Sequence, residues 1–340
     1  MNDTMWNRIV MMFHVICWTT TLALIFFWIY EFYLNKDLCI VDYKKYYESK
    51  EDQFPMLSIC LRDPFSDTSL MLHGHEINRS SYSKFLQGRY FNPKMLGINY
   101  KNSTIDISDY VVEYHSDFRN GTSTKNSVLN GKNKLFRFSH AIFWYNKFYN
   151  CFELQVPHDN QITYFGVALR ASVFQSNIRP PTYGMLSFLH YPNHLLTSGG
   201  NMRFALANNQ PYDNMVMRYK VDGMEVIHRR NKASRPCHLD SKHYDERIMK
   251  NHIKNVGCRA PYQDNVYDFK PCQTKELMKK ALLSIRMDDY GITSPCRAMK
   301  KIDYRYEEFN LLRAKESNTG HIYIGIYHFD DSFKEILQIR

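Results

Sequence analysis

His73 and His75, one residue apart and followed at once by Glu76, have the side chains to bind zinc or to exchange protons near neutral pH. Acidic pairs at Asp288-Asp289, Glu307-Glu308 and Asp330-Asp331 could share a proton or hold calcium, because close carboxylates raise one another's pKa. Neither pattern is specific. The chain has 14 histidines, so chance proximity accounts for the first, and solvated surface is the plainer reading of the second. Nothing orders these groups into a catalytic site: there is no Gly-x-Ser-x-Gly, no His-Glu-x-x-His, no P-loop and no Rossmann-type Gly-x-Gly-x-x-Gly. We therefore expect no enzyme, no resident cofactor and no metal.

The cysteines say more. Six of the eight lie at positions 60, 151, 237, 258, 272 and 296, well beyond an apolar N-terminal segment. The closest pair, Cys258 and Cys272, is 14 residues apart, too wide for the short Cys-x2-Cys spacing of a zinc site. An even set beyond a membrane segment points to disulfides in an oxidising compartment, though six cysteines allow fifteen connectivities and spacing alone does not choose among them. Cys17 falls within the apolar segment and Cys39 just after it, leaving Cys39 either free or available to link subunits.

That segment, Ile9 to Tyr30, runs 22 residues without a charge. As a helix it would span about 33 Å against a hydrocarbon core of about 30 Å, so it can cross a bilayer once. It exceeds the apolar core of a signal peptide, and no Ala-x-Ala-like cleavage site follows it. His14 and Thr19 to Thr21 would be accommodated best facing another helix or a pore, with Trp28, Tyr30 and Tyr33 at the interface. Arg8 before the span biases the N-terminus weakly to the inside, and sequons at Asn78, Asn102 and Asn120 suit an extracellular polar stretch. The predicted organisation is a cytoplasmic N-terminus (1–8), a transmembrane helix (9–34) and a continuous extracellular domain (35–340).

The net charge of +10 comes from scattered Lys and Arg without a nucleic-acid-binding motif, which argues for a solvated basic surface and against nucleic acid. A 15% aromatic share supplies ample apolar surface for a core. Period-two alternation in FGVALRASVF (165–174) and IYIGIY (322–327) predicts strands, and with FPMLSIC and GMLSFLH these suggest one central sheet. Tyr244, Ile248, Met249, Ile253 and Val256 recur at helical spacing, stopped by Gly257. A second helix should begin with Thr274 as N-cap, turn Leu277, Met278, Ala281, Leu282 and Ile285 inward, and end by Gly291.

After the membrane segment, Phe54-Pro-Met-Leu-Ser-Ile-Cys60 resembles the Phe-Pro-x-Val-Thr-Ile-Cys signature of degenerin/epithelial sodium channels. The resemblance continues in order through Tyr82-Ser-Lys-Phe-Leu-Gln-Gly88, Asn150-Cys151-Phe-Glu-Leu, His190-Tyr-Pro192 and Val256-Gly-Cys258-Arg-Ala-Pro-Tyr262. It closes with Lys270-Pro-Cys272-Gln-Thr and Ser294-Pro-Cys296, and covers roughly residues 9 to 340. It implies an α+β fold: a central β palm, a helical thumb (about 237–296) closed at its base by a disulfide, and an outer finger and knuckle region (about 67–145). It also implies the pairs Cys60 with Cys151, Cys237 with Cys296 and Cys258 with Cys272. Functionally it implies a subunit, here a fragment, of a trimeric, amiloride-sensitive sodium channel of the plasma membrane. Such a channel is gated by ligand, protons or force, and sodium is its transported ion. The sequence departs from the family pattern in three places. No second apolar run follows the last strand, the His-Gly motif before the span is missing, and Arg235-Pro-Cys237 stands where acid-sensing members have a Trp. The alternative is a single-span extracellular binding or modulatory protein without its own pore.

Overall fold

The uncharged run lies within one helix, α1 (Asp3–Leu34), which is long and apolar enough to cross a bilayer. Its threonines need no partner helix to satisfy their hydroxyls. Thr19 Oγ1 donates to the Val15 carbonyl at 3.0 Å, Thr20 to Ile16 at 2.8 Å and Thr21 to Cys17 at 2.8 Å, back-bonds that cap each donor within the helix. The structure, a computed structural model, describes residues 3–34, 39–45, 55–62, 70–72, 75–100, 103–127, 135–144, 147–156, 162–170, 185–190, 194, 202–205, 214–233, 236–240, 243–263, 269–282, 293–311, 321–328 and 332–338.

Beyond α1 the chain is mostly β. The strands are β1 (Cys39–Lys45), β2 (Met56–Arg62), β3 (Leu70–Leu72), β4 (His75–Ile77), β5 (Val111–Phe118), β6 (Ser123–Ser127), β7 (Phe136–Trp144) and β8 (Lys147–Leu154). They continue with β9 (Ile162–Arg170), β10 (Met185–His190), β11 (Met202–Ala205), β12 (Asn214–Arg229), β13 (Arg297–Leu311), β14 (His321–His328) and β15 (Ser332–Gln338). Three short helices accompany them: α2 (Arg79–Leu86), α3 (Tyr244–Val256) and α4 (Lys275–Ala281).

The strands expected to form one sheet divide between two. FGVALR (β9) and IYIGIY (β14) pair antiparallel within an eight-stranded sheet ordered β1-β15-β12-β14-β9-β5-β6, with β13 on the far side of β12. FPMLSIC (β2) and GMLSFLH (β10) pair with each other in a five-stranded sheet ordered β11-β10-β2-β8-β7. The reason is legible in burial. β2 and β10 are buried on both faces, so their sheet must be covered on both sides and forms an inner layer. One face, with Leu57, Ile59, Leu61, Met185 and Leu189, meets Val167, Leu169, Met217, Ile322 and Ile324 of the larger sheet. The other, with Cys60, Cys151, Leu186 and Phe188, meets Ile248 and Met249 of α3. Ser187 on β10 and Tyr219 on β12, both wholly buried, hydrogen-bond to each other through their hydroxyls and join the sheets inside the core.

α3 turns its predicted apolar stripe inward and ends at Gly257, whose φ of +82° is the left-handed C-cap that favours glycine. Thr274 caps α4, its hydroxyl accepting from the Leu277 N–H at 3.2 Å. α4 stops at Ala281, short of the predicted end, and the stretch from Ile285 to Gly291 lies outside the described residues. The Cys258–Cys272 bond links the end of α3 to the segment entering α4, and Tyr82, Phe85, Tyr100 and Phe148 pack around it. Gly88 sits here at φ +61°, where an added Cβ would come within 2.8 Å of the Lys279 backbone.

Candidate functional site

The strand that follows α1 is held by the last strand of the chain. β1 and β15 pair antiparallel from Cys39↔Gln338 to Lys45↔Ser332, so the start of β1, the strand that follows α1, lies beside the end of β15. β15 in turn runs parallel to the second half of β12, and β12 carries β13 along its other edge. β1 is therefore the edge strand of the larger sheet, joined to β12 through β15.

Glu335 of β15 is the polar centre of this junction, with its side chain 1% exposed. It lies opposite Asp42 in register, and the diagonal neighbour Lys44 reaches back to pair with it. Arg297, at the start of β13, adds a second contact, Nη2 to Oε1 at 3.2 Å. Burial alone would raise the Glu335 pKa, but Lys44 and Arg297 outweigh it and hold the carboxyl below the usual glutamate range. Arg297 follows Cys296, which is bonded to Cys237, and the Arg229 N–H at the end of β12 donates to the Cys296 carbonyl at 2.6 Å. Lys334 and Glu225 add a pair at 2.9 Å between β15 and β12. The arrangement is a clasp: a disulfide fixes Arg297, Arg297 and Lys44 fix Glu335, and Glu335 ties β1 to the sheet.

The signature residues form a second cluster. Pro55 is buried at the head of β2, and His190, wholly buried at the end of β10, receives or donates a hydrogen bond at 2.8 Å between Nε2 and Ser58 Oγ. Phe54 and Pro192 lie outside the described residues. Ser58 is also opposite Glu153 of β8, a 2%-exposed carboxylate paired with Arg137 and accepting from Ser139 Oγ at 3.2 Å. Ser139 reaches His140 Nδ1 at 2.6 Å. Burial drives the His140 pKa down to about 4, against the opposing pull of Glu153. A serine and histidine at 2.8 Å have the separation of a nucleophile and its base, but both are wholly buried, so the pair locks strands and meets no substrate.

The disulfides are Cys60–Cys151, Cys237–Cys296 and Cys258–Cys272, the pairs that the resemblance implies. Asn78 and Asn120 are both exposed. Asn78 Oδ1 caps α2 by accepting from the Ser80 N–H at 2.8 Å, and Asn120 Oδ1 in the β5–β6 turn accepts from the Thr122 N–H at 3.0 Å. Asn102, His73, Arg235, Asp288-Asp289 and Asp330-Asp331 lie outside the described residues, as do the side chains of Cys39, His75 and Glu76. Glu307 is taken up by Lys220 across β12 and β13, and Glu308 accepts from the Tyr306 hydroxyl at 2.8 Å. Among the described residues, no three His, Cys, Asp or Glu side chains gather to hold a metal ion. No protein-family model matches the chain, and no curated protein matches it either.

The clasp went unseen at the level of sequence, because Lys44, Glu335 and Arg297 are far apart in the chain and unremarkable in spacing. No local signal marked it: Glu335 stands next to Lys334 in Phe333-Lys334-Glu335-Ile336-Leu337, as an ordinary solvated charge pair would.

Proposed function

We propose that this chain is a subunit of a cation channel of the degenerin/epithelial sodium channel type, a trimer at the plasma membrane that passes sodium and is blocked by amiloride. In this reading the sheets are the palm, α3 and α4 the thumb, and the region about 67–145 the finger and knuckle. The observation that carries the proposal is the antiparallel pairing of β1 with β15 under the Lys44–Glu335–Arg297 clasp. A channel whose outer domain moves two membrane helices needs the strands leading to both helices side by side. Here the start of β1, just past α1, faces the end of β15. A second membrane helix continuing from β15 would emerge next to α1. A stimulus acting on the outer domain shifts the closed-to-open equilibrium only through its different affinity for the two states, and the clasp is where that difference reaches the membrane.

The test is the 3′ coding end of the native transcript followed by whole-cell recording from cells expressing the complete reading frame. An apolar stretch of about 20 residues beyond Arg340 and an amiloride-sensitive sodium current support the channel. A reading frame that closes at Arg340, with no current alone or with related full-length subunits, overturns it in favour of a tethered binding protein.

A further inference from the structure

Beside the inner sheet lies a cleft of about 550 Å³, within the roughly 300–1,000 Å³ range of small-molecule sites. Its apolar wall comes from two strands. Phe136 and Phe138 are two apart on β7 and so share a face, and Phe138 stands opposite Phe152 of β8 with ring centroids 5.8 Å apart in an edge-on contact. Phe136 and Phe152 are buried as a floor, while Phe138 is 38% exposed and forms part of the rim. Tyr100 adds a fourth ring.

Among the described residues, the charge in the cleft is one-sided. Arg137 lines it, but its guanidinium is already paired with the buried Glu153 through Nε and Nη2, so that pair contributes no net charge. Asp106 is the other ionisable acid or base on the wall apart from the Tyr100 phenol. It is exposed and caps a short 3₁₀ helix (Ile107–Tyr110), its Oδ1 accepting from the Ser108 N–H at 2.9 Å, which fixes the carboxylate in orientation. A cleft with aromatic faces and one uncompensated, oriented carboxylate is complementary to a flat apolar body bearing a single positive charge. A cation is drawn both to the carboxylate and to the ring faces, whereas an anion of the same shape meets repulsion at Asp106.

We propose that this cleft is a binding site for a small aromatic monocation of the arylalkylamine class. The proposal is independent of the channel reading, since it concerns binding to the outer domain whatever that domain controls.

The experiment titrates the detergent-solubilised full chain with 2-phenylethylamine, and in parallel with phenylacetate and 2-phenylethanol, by isothermal calorimetry. The amine is expected to bind at least tenfold more tightly than the other two. Asp106→Asn, which keeps the cap because Asn caps as well as Asp, should weaken the amine about tenfold with the melting temperature unchanged. Phe138→Ala, at the rim, should weaken amine and alcohol alike. Equal binding of all three probes, binding of none at millimolar concentration, or an Asp106→Asn variant that binds the amine as the parent does would each overturn the proposal.

Discussion

At the residue scale the informative groups are buried and ionisable. Glu335→Ala would leave Lys44 and Arg297 without their carboxylate; Lys44 is 38% exposed and can turn to water while Arg297 is 13% exposed, so the loss should be about 1–3 kcal/mol. Urea unfolding of the solubilised chain should show that loss, while an unchanged midpoint would mean the pair is dispensable. Acid sensitivity follows from His140. Its folded pKa of about 4 lies below the ordinary value of 6.5, so the unfolded chain binds the proton more readily. The stability that depends on neutral His140 is therefore complete above pH 6.5 and is lost as pH falls toward 4. Glu335 acts in the same direction, because its lowered pKa means stability present at neutral pH and lost on protonation. His140→Gln should narrow the gap in unfolding midpoint between pH 7 and pH 4.5, and a gap of the original width would rule this assignment out.

At the element scale, two mid-strand glycines that look like weak points are instead a fitted surface. Gly166 of β9 and Gly325 of β14 are directly opposed, and the Tyr164 ring lies across both, stacked on Tyr327 with centroids 4.1 Å apart. A Cβ on either glycine would collide with that ring. Gly325→Ala should destabilise by about 1–3 kcal/mol, and combining it with Tyr164→Ala should cost less than the sum of the two changes. Strict additivity in that double-mutant cycle would remove the steric account. Thr274→Ala should lose about 1 kcal/mol with the α4 cap, measured by the same unfolding. The start of α4 and the end of α3 were readable from Thr274 and Gly257, because capping chemistry is local. The division of the strands into two sheets was not. β2, β9, β10 and β14 all read as apolar strands, and only long-range pairing decides that β2 lies beside Cys151 and β9 beside Gly325.

At the scale of the whole molecule, the three bridges divide the work by loop length. Cys60–Cys151, with a separation of 91 residues, should contribute about 4–5 kcal/mol through the unfolded state, and Cys258–Cys272, with a separation of 14, about 3. Cys60 and Cys151 are wholly buried, so a reductant alone should act slowly, and reductant with mild denaturant should abolish folding. Rapid reduction of all three in native buffer, with the fold retained, would contradict this. The pairing itself could not be had from spacing, since fifteen connectivities are open to six cysteines. The candidate site was likewise closed to sequence reading, because its parts come from residues 44, 297 and 335 and meet only when the sheet forms.

The antiparallel β1–β15 ladder also has a mechanical character set by geometry. Tension drawn along β1 from its α1 end slides it past β15 and loads every rung of the ladder at once, so the junction resists as a shear joint. Separating Cys39 sideways from Gln338 opens the rungs one after another, and the Lys44–Glu335 contact, set back from that edge, is among the last to part. The same seven pairs are thus stiff to an axial pull and compliant to lateral spreading of the chain ends, and force spectroscopy with handles in the two orientations would separate these responses.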